Sequence, residues 1–421
     1  MIKIVNFSKI KNLQSLSKIL DRRKERSKTN TSIVNVILKD IKKNKIKSVI
    51  KFEKKFSQNI KLFPSKKEIK ISIKSLNPKV KFAIDQAYSR IKKFHQLQKI
   101  KEIKNIDKLK NKIKYKHVPI NNLGIYVPAN LPSTLLMNAI PANIAGVKNI
   151  VLANPRIDQK LDPAVMYVAK KCGIKKIINV GGAQAIGCLA YVYKVDKIIG
   201  PGNDFVARAK KEVFGDVGIE GMTAGPSEIM IVCDKFSNPA WVASDLVGQA
   251  EHDPLAQCIL ISKEMKLIEK VKIEVFNQLK EIPRNSIAEK SIINNGVLIH
   301  TSSDKKILDI INKVAPEHLE LNVKNYKSFL SKINNAGSIC LGKYAVMAMT
   351  DYNIGTNHVL PTNGSAKYSS GISVNEFYKR ISYINLSKKG IETLGPSVIT
   401  LANYEGLTGH ANSVKKRIRR T

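Results

Sequence analysis

Four of the seven histidines in this 421-residue chain stand inside tight polar clusters. The clusters are Gln249-Ala250-Glu251-His252-Asp253, Pro316-Glu317-His318, Asp351-Tyr352 with Asn357-His358 close behind, and Glu405 with His410. Imidazole and carboxylate are the side chains that ligate zinc and move protons near neutral pH, so together the clusters read as one metal-dependent oxidoreductase site. The other three histidines, His95, His117 and His300, lie among lysines or at the end of an apolar run, without such company. Gln249 and His252 are three apart on a helix predicted over 239–252, so they share a face. An amide oxygen plus an imidazole suits an N/O-type metal site, and the same pair can also simply close the end of its own helix. Asp351 and two further histidines lie downstream, and four N/O ligands without cysteine suit Zn²⁺ as a Lewis acid or substrate anchor. Glu317 and His318 place two proton-transfer groups side by side. Adjacent residues on a regular helix point apart, so Pro316 at a helix start is expected to let both serve one substrate.

These clusters need a frame. From Gly124 onward the chain repeats short apolar strand, glycine turn and helix. Strands are expected at 149–153, 176–180, 195–199, 228–232, 257–261, 296–300 and 337–341, with helices near 205–214, 239–252, 265–281 and 305–314. That alternation predicts parallel sheets covered on both faces. Residues 1–115 look largely helical, broken near Pro64 and Asn77-Pro78. The turns Gly181-Gly182 and Gly200-Pro201-Gly202 follow strands, where helix N-termini offer N–H groups to a ligand. Neither is a full G-x-G-x-x-G, so spacing admits either dinucleotide binding or the ordinary steric need for glycine in such turns.

Composition narrows the classes. At 421 residues the chain calls for two or more subdomains. Lys or Asn interrupts every apolar run, so no membrane span is expected, and the N-terminus lacks a signal-peptide core. Cys172, Cys188, Cys233, Cys258 and Cys340 are widely spaced and form no Cys-x-x-Cys pair, which fits buried thiols in a reducing cytoplasm. The formal charge is +39, and residues 1–120 alone hold 35 Lys and Arg against 8 Asp and Glu. These lysines interleave with Ile, Phe and Leu at helical spacing, as in Ile41-Lys42-Lys43-Asn44-Lys45-Ile46, which describes solvated helix faces. No specific nucleic-acid partner is expected, only weak polyanion binding.

The motifs together resemble the histidinol dehydrogenase family. The runs are Gly124-Ile-Tyr-Val-Pro128, Leu136-Met-Asn-Ala-Ile-Pro-Ala142, Val180-Gly-Gly-Ala-Gln-Ala-Ile186, Val195-Asp-Lys-Ile-Ile-Gly-Pro-Gly-Asn203 and Ala224-Gly-Pro-Ser-Glu228. They continue through Gln249-Ala-Glu-His-Asp-Pro254, Ala315-Pro-Glu-His-Leu-Glu-Leu321, Asp351-Tyr352, Asn357-His-Val-Leu-Pro-Thr362 and Glu405 with His410. The chain differs at Ala129-Asn130-Leu131-Pro132, where the family usually has a glycine pair and a longer loop, and at Val346-Met347, where a Pro-Glu pair is common. The resemblance implies NAD⁺-linked, zinc-dependent oxidation of L-histidinol through L-histidinal to L-histidine, with one Zn²⁺ per subunit. It implies that Gln249, His252, Asp351 and His410 hold the metal and that Glu317 and His318 are the catalytic proton-transfer pair. Ser227, His358 and Glu405 would contact the substrate beside the metal ligands and His318, while Tyr126, Gln184 and Asn203 would line the NAD site.

The fold implied is α/β: two incomplete Rossmann-like parallel-sheet domains in a homodimer with shared active sites. The expected division is an N-terminal helical segment at 1–20, a first α/β domain from 21–119 plus 232–379, a second at 120–231, and a C-terminal tail at 380–421 reaching the partner subunit. Two other functions remain open: a dehydrogenase for another small alcohol, and a nucleic-acid-binding protein on an enzyme scaffold.

Overall fold

The computed structural model describes residues 2–7, 13–20, 31–59, 61–220 and 225–418. By contact density the chain divides into a large unit, Met1–Gln98 with Asn121–Glu376, and a small one, Lys99–Ile120 with Phe377–Thr421.

The large unit contains two parallel sheets. The first joins β4 (Asn122–Tyr126), β5 (Asn149–Ala153), β6 (Lys176–Ile178), β7 (Lys197–Ile199) and β8 (Gly218–Ile219) in the order β6-β5-β4-β7-β8. The second joins β9 (Glu228–Cys233), β10 (Gln257–Ser262), β11 (Val297–His300), β12 (His318–Asn322) and β13 (Ser338–Leu341), with β1 (Lys3–Asn6) at its edge, in the order β1-β11-β10-β9-β12-β13. Counted from its first long strand, each sheet runs 3-2-1-4-5, and the direction of strand addition reverses beside β4 and beside β9. All pairs are parallel. Their near-continuous runs of Val, Ile and Leu follow from burial on both faces. On the second sheet one face packs Ile229, Ile231 and Leu260 against the helices Pro239–Ala250 and Met265–Leu279, and the other packs Met230, Ile259 and Leu319 against the helix Asp304–Val314.

Several sequence expectations are corrected. The N-terminal segment opens on a strand, β1, because Ile4 and Val5 complete the apolar edge beside β11. The helices Thr31–Asn44 and Ile46–Ser57 pack Val34, Ile41, Val49 and Phe52 into the core of the first sheet, within the region expected to be 120–231. The expected boundary at 231/232 falls inside β9. The boundary at 20/21 touches residues 21–30, which lie outside the described ones.

The small unit is an antiparallel sheet, β14-β3-β2, of Ile103–Ile106 (β2), Lys112–Pro119 (β3) and Tyr378–Asn385 (β14), with the helices Lys388–Tyr404 and Thr408–Ile418. Asn111 Oδ1 accepts from Ser387 N at 3.1 Å and locks the entry of the first helix. From Lys108 to Lys116 lysine recurs at every second position, a period of two that fits a two-sided strand better than the helix expected there.

Candidate active site

The two parallel sheets meet one pocket of about 390 Å³, lined entirely by the large unit. They present opposite ends to it. From the first sheet come the turns after the carboxyl ends of β4 and β7: Pro128, Leu131 and Gly200-Pro201-Gly202-Asn203. From the second sheet come residues at or before the amino ends of β9 and β12, namely Ser227, Glu317 and His318, with Gln249, His252 and Asp253 from the end of the helix that precedes β10. Asp351 and His358 complete this side.

The catalytic candidates stand at the entry of β12, Glu317 just before it and His318 as its first residue, not at a helix start. Ala315, in a left-handed conformation at φ 52, ends the helix Asp304–Val314, and Pro316-Glu317 leads directly into the strand. The apolar alternation His318-Leu319-Glu320-Leu321 carries this strand, a signal that the prolines and acids in the motif obscured. Glu317 is anchored by a reciprocal pair: its Oε2 accepts from Glu228 N at 2.9 Å, and its own N donates to Glu228 Oε2 at 3.2 Å. Glu228 Oε1 also accepts from Asn363 N at 2.9 Å. One buried carboxylate at the head of β9 thus ties two other backbone segments, at Glu317 and Asn363, around the pocket. Its role was not read from sequence, although a lone acid opening an apolar strand is a signal for it.

Around His318 the charges close in. Its Nε2 lies 3.8 Å from Glu317 Oε1 and 3.7 Å from Asp351 Oδ1. Burial, then the neighbouring His358 and His252, pushes its pKa down to about 3, well below the near-neutral value expected of a histidine base. The imidazole is therefore neutral, and only the two adjacent carboxyl groups could offset the charge if it took up a proton. His358 is also held neutral, at about 4, by burial. Its Nδ1 lies 2.6 Å from Asp351 O, an acceptor only, so Nδ1 carries the hydrogen and Nε2 remains an acceptor. Burial raises Asp351 to about 7.

Gln249 ends the helix Pro239–Ala250, and His252 follows two residues beyond its last turn. Among the described residues no three His, Cys, Asp or Glu side chains converge as a metal-ligand group. Yet Gln249 Oε1 and Asp351 Oδ1 are buried without a hydrogen-bond partner in the same pocket. Two orphaned oxygens beside an imidazole fit an N/O metal site that lacks part of its donor set. Glu405 and His410 belong to the small unit, where both are exposed.

At the other edge, Asn203 lines the pocket while its Oδ1 accepts from Val206 N at 3.2 Å, capping the helix Asp204–Val213. Tyr126 and Gln184 lie buried beneath the turns. Gln184 Nε2 donates to Glu53 Oε1 at 3.1 Å, and the same oxygen accepts from Gly181 N at 2.7 Å. Gly200 has φ 105, and a Cβ there would stand 1.9 Å from Tyr126 O. Asn154 Nδ2 ties down the short loop through Val127 O (3.1 Å) and Ala129 O (3.0 Å). Neither Glu53 nor Asn154 was singled out from sequence, since a single polar residue in a lysine-rich helix or at a strand end carries no motif.

Comparison with known proteins gives one consistent result. The family model described as histidinol dehydrogenase matches residues 20–418. Over the full length of both chains, the sequence is 65% identical, across 428 residues, to histidinol dehydrogenase of Pelagibacter ubique (strain HTCC1062). It is 39% identical to that of Listeria monocytogenes, covering 96% of this chain and 97% of the relative. The crystal structure of histidinol dehydrogenase from Elizabethkingia anophelis superposes with a TM-score of 0.93 at 36% identity, over 99% of this chain and 98% of that one.

Proposed function

The chain belongs to the histidinol dehydrogenase family, and on that premise we propose that its pocket carries out the zinc-dependent, two-step oxidation of L-histidinol through L-histidinal to L-histidine. The observation that supports this reading most is the meeting of Glu317, His318 and Asp351 within 3.8 Å contacts beside the orphaned Gln249 Oε1. Gln249, His252 and Asp351 would hold Zn²⁺, with His410 of a second subunit as the fourth ligand. Bound zinc would supply Lewis-acid polarisation and anchor the imidazole and amine of the substrate, while NAD⁺ would take the hydride.

The protein's own groups do the rest. Neutral His318 accepts the hydroxyl proton as the alcohol becomes the aldehyde, and Glu317 and Asp351 stabilise the resulting imidazolium. Glu317, held by the Glu228 amide, takes a proton from the water that adds to the aldehyde carbon. Ser227 and His358 Nε2 orient the substrate, together with Glu405 of the second subunit. Gly200–Asn203 and the Tyr126–Gln184 region receive NAD⁺ at the carboxyl edge, where backbone N–H groups face a ligand.

A homodimer with shared sites fits the small unit. Ile384 is 66%, Leu401 62% and Tyr404 91% exposed on the single chain, an apolar surface that a partner would cover. No described helix is long and apolar enough to cross a membrane, and all five cysteines are buried and outside any disulfide, which suits a cytoplasmic enzyme. The test is NADH formation with histidinol before and after dialysis against chelator. Turnover should vanish with the metal and return with zinc; full turnover in verified metal-free protein would overturn the zinc assignment.

A further inference from the structure

We propose that Asp245 and Glu320 form a buried carboxyl–carboxylate tie that positions Gln249, His318 and Asp351 at once; the part of this that concerns metal rests on the zinc reading above. Glu320 is 2% exposed in the middle of β12. It follows His318 by two residues, so both side chains leave the strand on the same side. Its Oε1 accepts from Met347 N at 2.8 Å, and Met347 opens the helix Met347–Tyr352, one turn before Asp351. The Glu320 carboxyl group also shares a hydrogen bond with that of Asp245. Asp245 lies one turn before Gln249 on the helix Pro239–Ala250. A single pair therefore joins three elements, each bearing one site residue a fixed step away.

Burial raises both carboxyl groups above their ordinary range, which keeps a proton within the pair. Neither residue lines the pocket, so neither touches substrate. Two acids are costly in a core where apolar side chains of similar size would pack as well. Their use is positional: among the described residues Gln249 Oε1 and Asp351 Oδ1 take no hydrogen bond that would aim them.

The experiment compares full-length parent protein with Glu320→Gln and Glu320→Met. Glutamine presents an oxygen to Met347 N–H and an N–H to Asp245, preserving the tie, whereas methionine fills the volume and removes it. Zinc affinity by chelator competition, kcat and KM for histidinol, and urea unfolding are measured on each. E320Q should stay close to the parent, while folded E320M should lose about 10–100-fold in zinc affinity and in kcat. Parental zinc affinity and kcat in E320M overturn the proposal, as does an E320Q protein damaged as badly as E320M. If E320M does not fold, Asp245→Asn against Asp245→Leu makes the same comparison from the helix side. A parent that binds no zinc refutes the metal reading alone, and the kcat contrast between E320Q and E320M then still decides the tie through His318.

Discussion

The two parallel sheets share a strand order and differ in which edge they give to the pocket. The β4–β8 sheet uses its carboxyl edge, where the Gly200-Pro201-Gly202 turn leads into the N-terminus of the helix Asp204–Val213, a place that offers backbone N–H groups to a ligand. The β9–β13 sheet uses its amino edge, where the first residues of three neighbouring strands are Glu228 and Gln257, each followed by an apolar run, and His318, followed by Leu319-Glu320-Leu321. A carboxyl edge suits a charged, extended cofactor because its donors are main-chain and uniform. An amino edge has no such array, so side chains must supply the chemistry and must be buried to hold their places. The contrast is visible in titration. Amino-edge groups are pushed far from their usual range by burial: His318 to about 3, His358 to about 4 and Asp351 to about 7. At the carboxyl edge the strongly shifted cation is Lys210, buried behind the Gly200 turn and held at about 8.

The largest expected effect tests the amino edge. Glu317→Gln should slow oxidation of supplied histidinal by roughly 10²–10⁴-fold, and oxidation of histidinol to the aldehyde by less. Single-turnover NADH formation with each substrate separates the steps, and equal losses would remove Glu317 from water activation. A second break-point is the proposed supply of His410 to the amino-edge site by a partner subunit. Neither His410→Ala nor Glu317→Gln should turn over histidinol alone, yet a subunit-exchanged mixture should recover about a quarter of parental activity. In each mixed dimer one site carries both defects and the other none. If His410 serves its own chain, the mixture stays inactive.

Much of this was legible in the sequence because glycine turns and apolar strands announce themselves over short spans. Strands β5, β7, β9, β10 and β11 fall where alternation placed them, within a residue or two. What failed depended on distant partners. β1 is four residues whose only reason to be a strand is the edge of β11, almost three hundred positions away. β3 and β14 read as helix or tail because their pairing joins residues 112–119 to 378–385, and β2 pairs in turn with β3. Likewise, the clusters around Gln249, Glu317 and Asp351 named the pocket's chemistry, but Glu228, Glu53 and Asn154 act through hydrogen bonds to far segments. The depressed His318 was also hidden, since a sequence gives the side chain and not its burial.

At the carboxyl edge a third prediction follows from Lys210, whose Nζ donates to Gly200 O and Glu220 O. Burial lowers its pKa from 10.5 to about 8. Between these values the unfolded chain binds a proton that the folded one does not, so this group's contribution to stability rises with pH from 8 toward 10.5. Buried thiols such as Cys172 and Cys233, raised to about 12, act in the opposite sense above pH 9, so the readout is a difference. The unfolding free energy of the parent minus that of Lys210→Met should increase by up to about 1.4 kcal/mol per pH unit across this window. A flat difference would show that Lys210 stays charged in the fold.

The smallest effect separates what a polar side chain does at each edge. Asn203 lines the pocket, but its Oδ1 is engaged with Val206 N as a helix cap, and in the proposed NAD⁺ site the groups of that turn that would face the cofactor are main-chain. Asn203→Ala should therefore cost about 1 kcal/mol of stability, the usual loss of an N-cap. It should raise KM for NAD⁺ modestly and leave kcat near parental, because the reacting atoms are held from the other sheet. Urea unfolding and initial rates at varied NAD⁺ measure both quantities. A fall in kcat comparable to that of Glu317→Gln would erase the division of labour between the edges, placing a catalytic side chain where only backbone and capping roles are expected.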